Sequence, residues 1–481
     1  MEIPKAVIEV AKGLKEAGFE AYLVGGCVRD FLLNKEPNDW DLTTNARPEQ
    51  IQEVFPDSVY ENSFGTVGVK TRSGESDTAL VEATTYRLEG KYTDKRHPDE
   101  ITFAKTIEED LARRDFTINA LAMDLNHKIV DPFGGQEDLK NKMIRAVGDP
   151  EARFQEDALR LMRAVRFMAK LNFQIDPETE SAIKKHAGLL EFIAKERVRD
   201  ELSKMLMATD AASGIRKMQE SGLLKFVMPE LEEGVGCGQN KHHIYDVFEH
   251  IVRALDYSAR KNHPFEVRLA ALLHDVGKPR SKEGDGPDSH FYAHQTIGEK
   301  MALKMLDRLH FSRDVIERVA LLVKEHMFVY DPESVTPAGV RRLVRRVGPE
   351  NMDNLLLLRE ADRIGSGVPK AQPYRLRHLK FLIEKVSKDP ISVKMLKVGG
   401  QDILQEAGME PGPKVGSILS ILLEEVLDDP SLNDRGLLLI RIKDLAQMES
   451  KKLEEMAKFA KKSANEAQNR IDEEIKKKYF V

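Results

Sequence analysis

The stretch Gly25–Thr44, GGCVRDFLLNKEPNDWDLTT, joins a glycine turn to two acidic residues spaced Asp-x-Asp. The apolar run Ala21–Val24 before it favours a β-strand, so the glycines are expected to end that strand before a helix begins near Val28. Backbone amides at a helix start bind phosphate oxygens, and Gly26 together with the guanidinium of Arg29 would complete such a cradle. The stretch therefore predicts a site for a nucleoside triphosphate.

The two acidic residues, Asp39 and Asp41, lie in a segment, residues 38–42, that is expected to form a second strand. Positions i and i+2 of a strand point to the same face, so the carboxylates would converge while Trp40 faces the other way. Two close carboxylates repel each other unless a cation lies between them, which indicates a divalent metal such as Mg²⁺. Taken singly, the glycines are typical of a turn and the acids of a solvated loop. Their joint occurrence favours a metal site.

Two downstream segments carry further charged motifs, Glu108–Ala120, EEDLARRDFTINA, and Glu156–Arg160, EDALR. With the first stretch they resemble the motif set of bacterial class II tRNA nucleotidyltransferases, the family of CCA-adding enzymes and their poly(A) polymerase relatives. The resemblance spans residues 20–445. It implies an α+β fold, in which a polymerase β-type nucleotidyltransferase head with a small mixed sheet precedes an all-helical neck, an HD-type body and a tail.

The resemblance also implies a reaction, the template-independent addition of C, C and A to tRNA 3′ ends from CTP and ATP. Asp39 and Asp41 would hold catalytic Mg²⁺, and the tRNA 3′-hydroxyl would displace pyrophosphate from the α-phosphorus in line. The family likeness places Arg114 on the incoming nucleotide, with Asp115 and Asn119 near its sugar. A surface salt bridge is the alternative for this charged segment.

Base selection is expected from Asp157 and Arg160, three residues apart in a helix predicted over residues 154–167 and so on one face. The carboxylate would accept a hydrogen bond from the exocyclic amine of cytosine or adenine, whereas uracil and guanine present a carbonyl there. Arg163 and Arg166 match the family motif for nucleotide binding as well. Three-residue steps on a straight helix turn Arg166 nearly opposite Asp157, so helix geometry alone does not support its role.

Two further features refine the predicted activity. Glu82 lies where the superfamily often has a third carboxylate, which gives it a supporting role. Residues 87–99 form a polar stretch without periodicity, which predicts a loop. In the family such a loop is associated with the step from C to A addition, so it argues against an enzyme that stops after CC. An A-adding tRNA nucleotidyltransferase or a poly(A) polymerase stays open, as does a hydrolase whose head is vestigial.

A second constellation of histidines and acids occupies the middle of the chain, anchored by residues 243–250, HIYDVFEH, and residues 272–279, LLHDVGKP. These segments resemble the HD superfamily of metal-dependent phosphohydrolases. Imidazole and carboxylate ligands drawn from separate helices suit a transition metal, Ni²⁺ or Mn²⁺. The implied activity is a phosphatase or cyclic phosphodiesterase acting on damaged RNA ends; the alternative is a domain that keeps the fold without the activity. The implied ligands are His250, His274, Asp275, His294, His326 and Asp362.

Charge and composition limit the remaining possibilities. The chain has 481 residues, enough for several domains, and a formal net charge of −6, so RNA contact must rely on local patches. One candidate is Val340–Val347, VRRLVRRV, whose arginines would line a helix opposite an apolar stripe and lie along phosphates. Cys27 and Cys237 are too few for a disulfide framework. With no signal peptide or membrane-spanning stretch expected, the predicted location is the reducing cytoplasm.

These landmarks predict four regions: a nucleotidyltransferase head over residues 1–145, a helical neck with the base-reading helix over 146–240, an HD-type metal-binding helical domain over 241–370 and a helical tail over 371–481. Residues 450–478, rich in Lys, Glu and Ala, predict an appended amphipathic helix. The oligomeric state is left open by the sequence.

Overall fold

The computed structural model describes residues 2–37, 39–60, 65–71, 79–89, 101–240, 244–284, 286–328, 330–386 and 389–458. The chain divides into two compact units, Met1–Pro229 and Glu230–Val481. The finer division into head, neck, HD-type domain and tail stays a prediction. Most of the predicted loop over residues 87–99 lies outside the described residues, and so does the predicted C-terminal helix beyond residue 458.

The first unit is built on short β-strands. They are β1 (Tyr22–Val24), β2 (Leu42–Thr44), β3 (Ser58–Tyr60), β4 (Thr66–Lys70), β5 (Leu80–Thr85), β6 (Arg87–Glu89), β7 (Ile101–Phe103), β8 (Ala122–Met123), β9 (Ile129–Val130), β10 (Met143–Ile144) and β11 (Gln174–Ile175). Seven of them form one mixed sheet in the order β3-β4-β5-β2-β1-β8-β9, in which β2 and β5 run parallel. The predicted α+β head with a small mixed sheet is confirmed.

The register of this sheet sets the site. Leu42 at the start of β2 pairs with Leu23 of β1 on one side and with Ala83 of β5 on the other. All three side chains are buried, because the alternation along each strand turns its apolar members toward the core. Asp41 therefore enters the sheet directly before β2, and Glu82 directly precedes Ala83 on the neighbouring strand.

Helices surround and follow this sheet. Those of the first unit are α1 (Lys5–Glu16), α2 (Gly26–Leu32), α3 (Pro48–Val54), α4 (Ile107–Ala112), α5 (Gly135–Lys140), α6 (Pro150–Glu156), α7 (Leu159–Leu171), α8 (Pro177–His186), α9 (Lys195–Leu206), α10 (Ala211–Glu220) and α11 (Leu224–Val227). The long helix α7 packs against α9 and α10, and its apolar residues are almost all buried. A helical layer thus follows the sheet, as the 3.6-residue pattern predicts.

The second unit is almost entirely helical. After α12 (Pro229–Glu232), which spans the unit boundary, it contains α13 (Val247–Arg260), α14 (Phe265–Leu273), α15 (Lys278–Ser281), α16 (His294–Arg308), α17 (Arg313–Glu325), α18 (Pro337–Val347), α19 (Pro349–Gly365), α20 (Tyr374–Val386), α21 (Gly400–Ala407), α22 (Pro413–Asp428) and α23 (Arg435–Ala446), with a two-stranded pair, β12 (Lys282–Glu283) and β13 (His290–Phe291). Among the described residues, no helix is both long and apolar enough to cross a bilayer.

Three local predictions are wrong. The helix after the glycine turn begins at Gly26, two residues before Val28, and β2 begins at Leu42, so Asp39 and Asp41 precede the strand. The helix predicted over residues 154–167 is two helices, because α6 ends at Glu156 and α7 begins at Leu159. Asp157 has extended backbone angles, and its Oδ1 accepts the Leu159 N–H at 3.0 Å, a local bond that competes with helix continuation.

The arginine-rich helix α18 is present, but its cations do not form a free phosphate-binding stripe. Arg341 is buried and donates to the backbone carbonyls of Leu427 and Asp428 at the end of α22. The other three arginines pair with carboxylates: Arg342 with Asp428, Arg345 with Glu424 and Arg346 with Glu325. The charges of α18 therefore hold helices together within the second unit, which corrects the expectation of an RNA-facing helix.

Candidate functional site

The glycine turn leads directly from β1 into α2. Gly25 has a φ of +77°, and a Cβ there would lie 2.6 Å from Nη1 of Arg114, so both the backbone angle and the close approach require glycine. Arg29 of α2 is buried, donates to Asn119 Oδ1 at 2.7 Å and pairs with Asp30 at 2.8 Å. The Arg114 guanidinium therefore lies against the backbone of Gly25, which has no side chain. The charge of Arg29 is already paired with that of Asp30. Phosphate binding by Gly26 and Arg29 stays a prediction.

Asp41 lies beside this turn, directly before β2. Asp39 is exposed and Asp41 half-buried, and the Asp41 carbonyl accepts the Val24 N–H at 3.1 Å. Burial raises the pKa of the Asp41 carboxyl, the Arg114 guanidinium opposes that rise, and the Asp39 charge adds to it. Two oxygen ligands whose charges repel each other fit a hard divalent cation such as Mg²⁺. Glu82 is exposed on the adjacent strand β5, and its supporting role stays a prediction.

The segment after α4 fixes Arg114 and Asp115. Arg114 Nη2 lies 3.7 Å from Oδ2 of the buried Asp110. Asp115 accepts hydrogen bonds from Asn119 Nδ2 at 3.0 Å and from Arg163 Nε at 2.7 Å. Burial would raise the pKa of Asp115, but Arg163 and the Asn119 hydrogen bond outweigh it and lower the pKa to about 2. Asp115 is therefore an ionised anchor between the head segment and α7.

The predicted base-reading pair is arranged differently from the expectation of one helix face. Asp157 lies between α6 and α7 and pairs with Arg197 of α9 at 2.8 Å. Arg160 pairs with Glu156 at 2.7 Å and donates to the backbone carbonyl of Arg113 at 3.0 Å. The prediction that Asp157 and Arg160 share one helix face is wrong, because Asp157 is not helical. Whether either residue contacts a base stays a prediction.

Arg163 and Arg166 lie on α7 and have different partners. Arg163 contacts Asp115, whereas Arg166 is buried, pairs with Glu201 of α9 at 2.5 Å and lies 4.0 Å from the Phe167 ring centroid. This agrees with the helix geometry that turns Arg166 away. Sequence reasoning missed Arg197 and Glu201, although charged positions four apart on α9 gave a signal for partners facing α7.

In the second unit, six buried side chains from five helical segments converge. His250 comes from α13, His274 and Asp275 from the end of α14, His294 from the start of α16, His326 from the end of α17 and Asp362 from α19. Five of the six form two overlapping groups with metal-ligand spacing, His250, His274 and Asp275 in one and Asp275, His294 and His326 in the other, and Asp362 lies beside the first group. The structure thus brings the six predicted residues together, and their role as metal ligands stays a prediction.

Asp275 belongs to both groups. Its Oδ2 lies 3.0 Å from Nε2 of His250, and its Oδ1 lies 3.4 Å from Nε2 of His294. His250 and His274 approach through their Nε2 atoms at 2.9 Å, and His294 and His326 at 3.3 Å. Asp362 Oδ1 lies 3.4 Å from His250. One carboxylate thus connects two pairs of imidazoles.

The tautomers of these histidines follow from their outer hydrogen bonds. Nδ1 of His274, His294 and His326 each lies beside the backbone carbonyl three residues earlier, at 2.9, 2.9 and 2.6 Å. A carbonyl only accepts, so each Nδ1 carries a proton. Burial lowers the pKa of His326 to about 4, so this ring is neutral and turns its Nε2 lone pair inward. Nε2 of His294 lies 3.3 Å from Nε2 of His326, and the two atoms lie 3.4 and 3.6 Å from Asp275 Oδ1. This donor set fits a transition metal.

Two cations outside the predicted ligand set balance the acids. Lys278 Nζ lies 2.6 Å from Asp275, and Arg359 lies 2.5 Å from Asp362. Burial would raise the pKa of both carboxyls, but Lys278 beside Asp275 and Arg359 beside Asp362 hold both pKa values well below the usual range. Burial likewise lowers the pKa of His274, yet the Asp275 charge outweighs it and raises the pKa to about 10. Sequence reasoning did not identify Lys278 or Arg359.

Three protein families match successive parts of the chain. The "Poly A polymerase head domain" matches residues 21–145, the "Probable RNA and SrmB- binding site of polymerase A" matches residues 172–234, and the "HD domain" matches residues 243–366. The first contains the glycine turn and the acidic pair. The third contains all six members of the histidine constellation.

Curated relatives align along most of the chain. A CCA-adding enzyme of Ligilactobacillus salivarius is 33% identical over 444 residues, which cover 92% of this chain and 97% of that protein. An A-adding tRNA nucleotidyltransferase of Deinococcus radiodurans is 36% identical over 418 residues, which cover 84% and 91%. A CCA-adding enzyme of Lactobacillus helveticus is 55% identical over 197 residues, 41% of this chain and 48% of that protein.

Solved structures share the fold. The Bacillus stearothermophilus CCA-adding enzyme in complex with CTP superposes with a TM-score of 0.71 at 28% identity, covering 92% of this chain and 98% of that one. The Thermotoga maritima CCA-adding enzyme complexed with tRNA gives a TM-score of 0.56 at 22% identity, covering 91% and 93%, and supports the fold alone.

Proposed function

Because the chain belongs to the family of bacterial CCA-adding enzymes, we propose that it adds C, C and A to tRNA 3′ ends from CTP and ATP, releasing pyrophosphate. The observation that carries the proposal is the placement of Asp41 beside the Gly25 turn: its carbonyl accepts the Val24 N–H at the end of β1, and Arg114 approaches Gly25. These residues supply carboxylate ligands, a cation for phosphate and bare backbone in one place. Their retention argues against a vestigial head.

In the proposed reaction, Asp39 and Asp41 hold Mg²⁺, with Glu82 in support. Bound there, magnesium would make the tRNA 3′-hydroxyl a better nucleophile and neutralise charge on the departing pyrophosphate. The amides around Gly26 and the guanidinium of Arg114 orient the triphosphate, so that the α-phosphorus faces the hydroxyl in line.

Base selection is proposed to rest on Asp157. Its pairing with Arg197 orients it, and a carboxylate accepts hydrogen bonds only. Cytosine and adenine present an exocyclic amine to it, whereas uracil and guanine present a carbonyl that would leave the carboxylate unmatched. Arg160 would donate to the acceptor beside that amine, once its contact with Glu156 rearranges.

One experiment separates CCA addition from A addition. A addition is the alternative because one relative is an A-adding tRNA nucleotidyltransferase. A tRNA transcript lacking its 3′ end is incubated with labelled CTP as the only nucleotide. Incorporation of two cytidines supports CCA addition. If no cytidine is incorporated but ATP adds adenosine to a transcript that already ends in CC, the protein is an A-adding enzyme. If neither CTP nor ATP is incorporated, the proposed function is overturned.

A second activity is proposed for the histidine constellation: hydrolysis of phosphate esters at damaged RNA ends with Ni²⁺ or Mn²⁺ bound. The supporting observation is the convergence of Nε2 of His294 and Nε2 of His326 on Asp275 Oδ1, in a group with the spacing of metal ligands. The test is turnover of a 2′,3′-cyclic nucleotide with either metal by the wild type and by Asp39→Ala. Equal turnover in both proteins supports an independent site, and no turnover with any metal removes the proposal.

The proposed setting of these reactions is the reducing cytoplasm. Cys27 and Cys237 are both free thiols, and Cys27 is buried beneath the glycine turn with its thiol directed at the Val24 carbonyl at 3.3 Å. Burial raises the pKa of the Cys27 thiol to about 11, so this group stays protonated and unreactive.

A further inference from the structure

Helix α20 carries a row of aromatic rings on its outer surface. Tyr374 is 65% exposed and Phe381 is 58% exposed. His378 lies between them, with ring centroids 6.0 Å from Tyr374 and 6.4 Å from Phe381. The spacing i, i+4 and i+7 puts all three rings on one side of the helix. Large exposed rings in a continuous row are unusual on a surface that has no partner.

The opposite side of α20 explains why these rings are not part of the core. Leu376, Leu379 and Leu382 are buried, so the helix already has its apolar face turned inward, and it packs on α18. The aromatic row is therefore surplus to folding.

The cations of α20 fall into two groups. Arg375 pairs with Asp331 at 3.0 Å, and Lys380 pairs with Glu360 at 2.7 Å, so both serve the packing of the unit. Arg377 and Lys385 are exposed on the aromatic side, and no described carboxylate pairs with either of them. Helix geometry places both within about 60° of Tyr374, next to the rings.

We propose that this face, formed by Tyr374, His378 and Phe381 with Arg377 and Lys385, docks tRNA by stacking on unpaired loop bases. The inference rests on the proposed function, which supplies the polyanion. Aromatic side chains stack on any unstacked base, and adjacent cations bind the phosphates of the same strand. The face carries two exposed cations, Arg377 and Lys385, and one acid, Glu384, at its border. This net positive charge favours a polyanion as the partner over a protein surface that carries few acidic residues.

The test uses the full chain carrying both Tyr374→Ala and Phe381→Ala, with nucleotide-free binding of tRNA measured by filter retention. Because stacking on each ring is worth about tenfold in affinity, the Kd for tRNA is expected to rise at least tenfold, while kcat at saturating tRNA stays unchanged. The conservative pair Tyr374→Phe and Phe381→Tyr is expected to retain wild-type affinity. Tyr292→Ala, which removes a 47% exposed ring elsewhere in the same unit, is the matched control.

A second arm removes charge alone. Arg377→Gln with Lys385→Gln is expected to flatten the slope of log Kd against log salt by about 1–2. An unchanged tRNA Kd in the double alanine variant overturns the proposal, and so does an equal loss of affinity for a loop-free RNA duplex. Binding is measured without CTP or ATP, so its result does not depend on nucleotide addition. If the protein failed to extend tRNA, the proposed function would be refuted, and the binding measurement would still decide the docking proposal.

Discussion

Asp157 and Arg197 form an ion pair with an Nη2–Oδ2 distance of 2.8 Å, joining a residue between two helices to the first turn of α9. The partner 40 residues away therefore fixes the carboxylate that is proposed to read the base edge. Helix register does not fix it, because α6 ends before Asp157 and α7 begins after it.

Replacing Asp157 by alanine is expected to relax selectivity more than it weakens triphosphate binding. One matched contact is worth about 1–3 kcal/mol, so the preference for CTP over UTP in kcat/KM should fall about ten- to hundredfold. Arg197→Ala should move selectivity in the same direction, because it frees the carboxylate. Arg199→Ala, on the same helix and paired with Asp200, is the control. An equal loss for all four triphosphates would count against selection by the protein.

Asp39→Ala is expected to abolish transfer with every nucleotide while the fold is retained. Metal-assisted charge neutralisation is worth several kcal/mol, so kcat should fall by about 10³-fold or more. Single-turnover incorporation of labelled CTP measures the loss. Glu49→Ala removes an exposed acid of α3 and should leave the rate unchanged; a comparable loss in that variant would mean that net charge, and not the acidic pair, is responsible.

The Asp115–Arg163 pair predicts a pH dependence of stability. The pKa of Asp115 is about 2 in the folded protein against an ordinary value of 3.8, so its ionised form stabilises the fold above that ordinary value. The contribution of about 2 kcal/mol is lost progressively as the pH falls from about 5 to about 1. Asp115→Asn should therefore be less stable than wild type at pH 6, and the difference should shrink to about a third of that value near pH 2.5.

Denaturant unfolding followed by the fluorescence of Trp40, the single tryptophan, measures this difference in the first unit. A gap between the two proteins that stays constant from pH 6 to pH 2.5 would show that the Asp115 charge is not the stabilising element.

Asp275 belongs to both histidine groups, so its removal is expected to abolish metal binding by both. Asp275→Ala should remove transition-metal retention altogether, whereas His326→Ala should remove only part, because Asp275 lies in both groups and His326 in one. Metal content after dialysis against Mn²⁺ and gel filtration, measured by mass spectrometry, gives the stoichiometry. Asp39→Ala should keep the wild-type content. Equal retention in Asp275→Ala would rule out the shared position.

Arg341 should matter for stability and not for RNA binding. Its guanidinium caps the end of α22 through two carbonyls and pairs with Asp389 at 2.8 Å, so Arg341→Gln should lower the free energy of unfolding of the second unit by about 2–4 kcal/mol. Thermal unfolding followed by circular dichroism measures it. Arg345→Gln should leave the tRNA Kd within about twofold; a larger rise would restore the phosphate-binding interpretation of α18.

The sequence predicted most where a motif carries its own chemistry. The resemblance to the HD superfamily was sufficient to anticipate the convergence of the histidines and acids, and the strand before Gly25 followed from β-favouring residues. Prediction failed where tertiary contacts decide the structure. The break at Asp157 depends on a side-chain cap, and Arg345 of α18 pairs with an acid 79 residues away. No periodicity encodes the pairings of Lys278 and Arg359, whereas the spacing of Arg197 and Glu201 on α9 gave a signal that sequence reasoning did not use.

The interruption between α6 and α7 has a consequence for fidelity on warming. Discrimination depends on a junction tethered to α9, while the acidic pair directly precedes β2, where the Asp41 carbonyl is hydrogen-bonded to β1. The two properties therefore have separate sources of rigidity. If heating breaks the Asp157–Arg197 ion pair before the sheet unfolds, the enzyme would still add nucleotides but would no longer select CTP and ATP over UTP and GTP. Misincorporation, rather than inactivity, would then mark the upper limit of its working temperature.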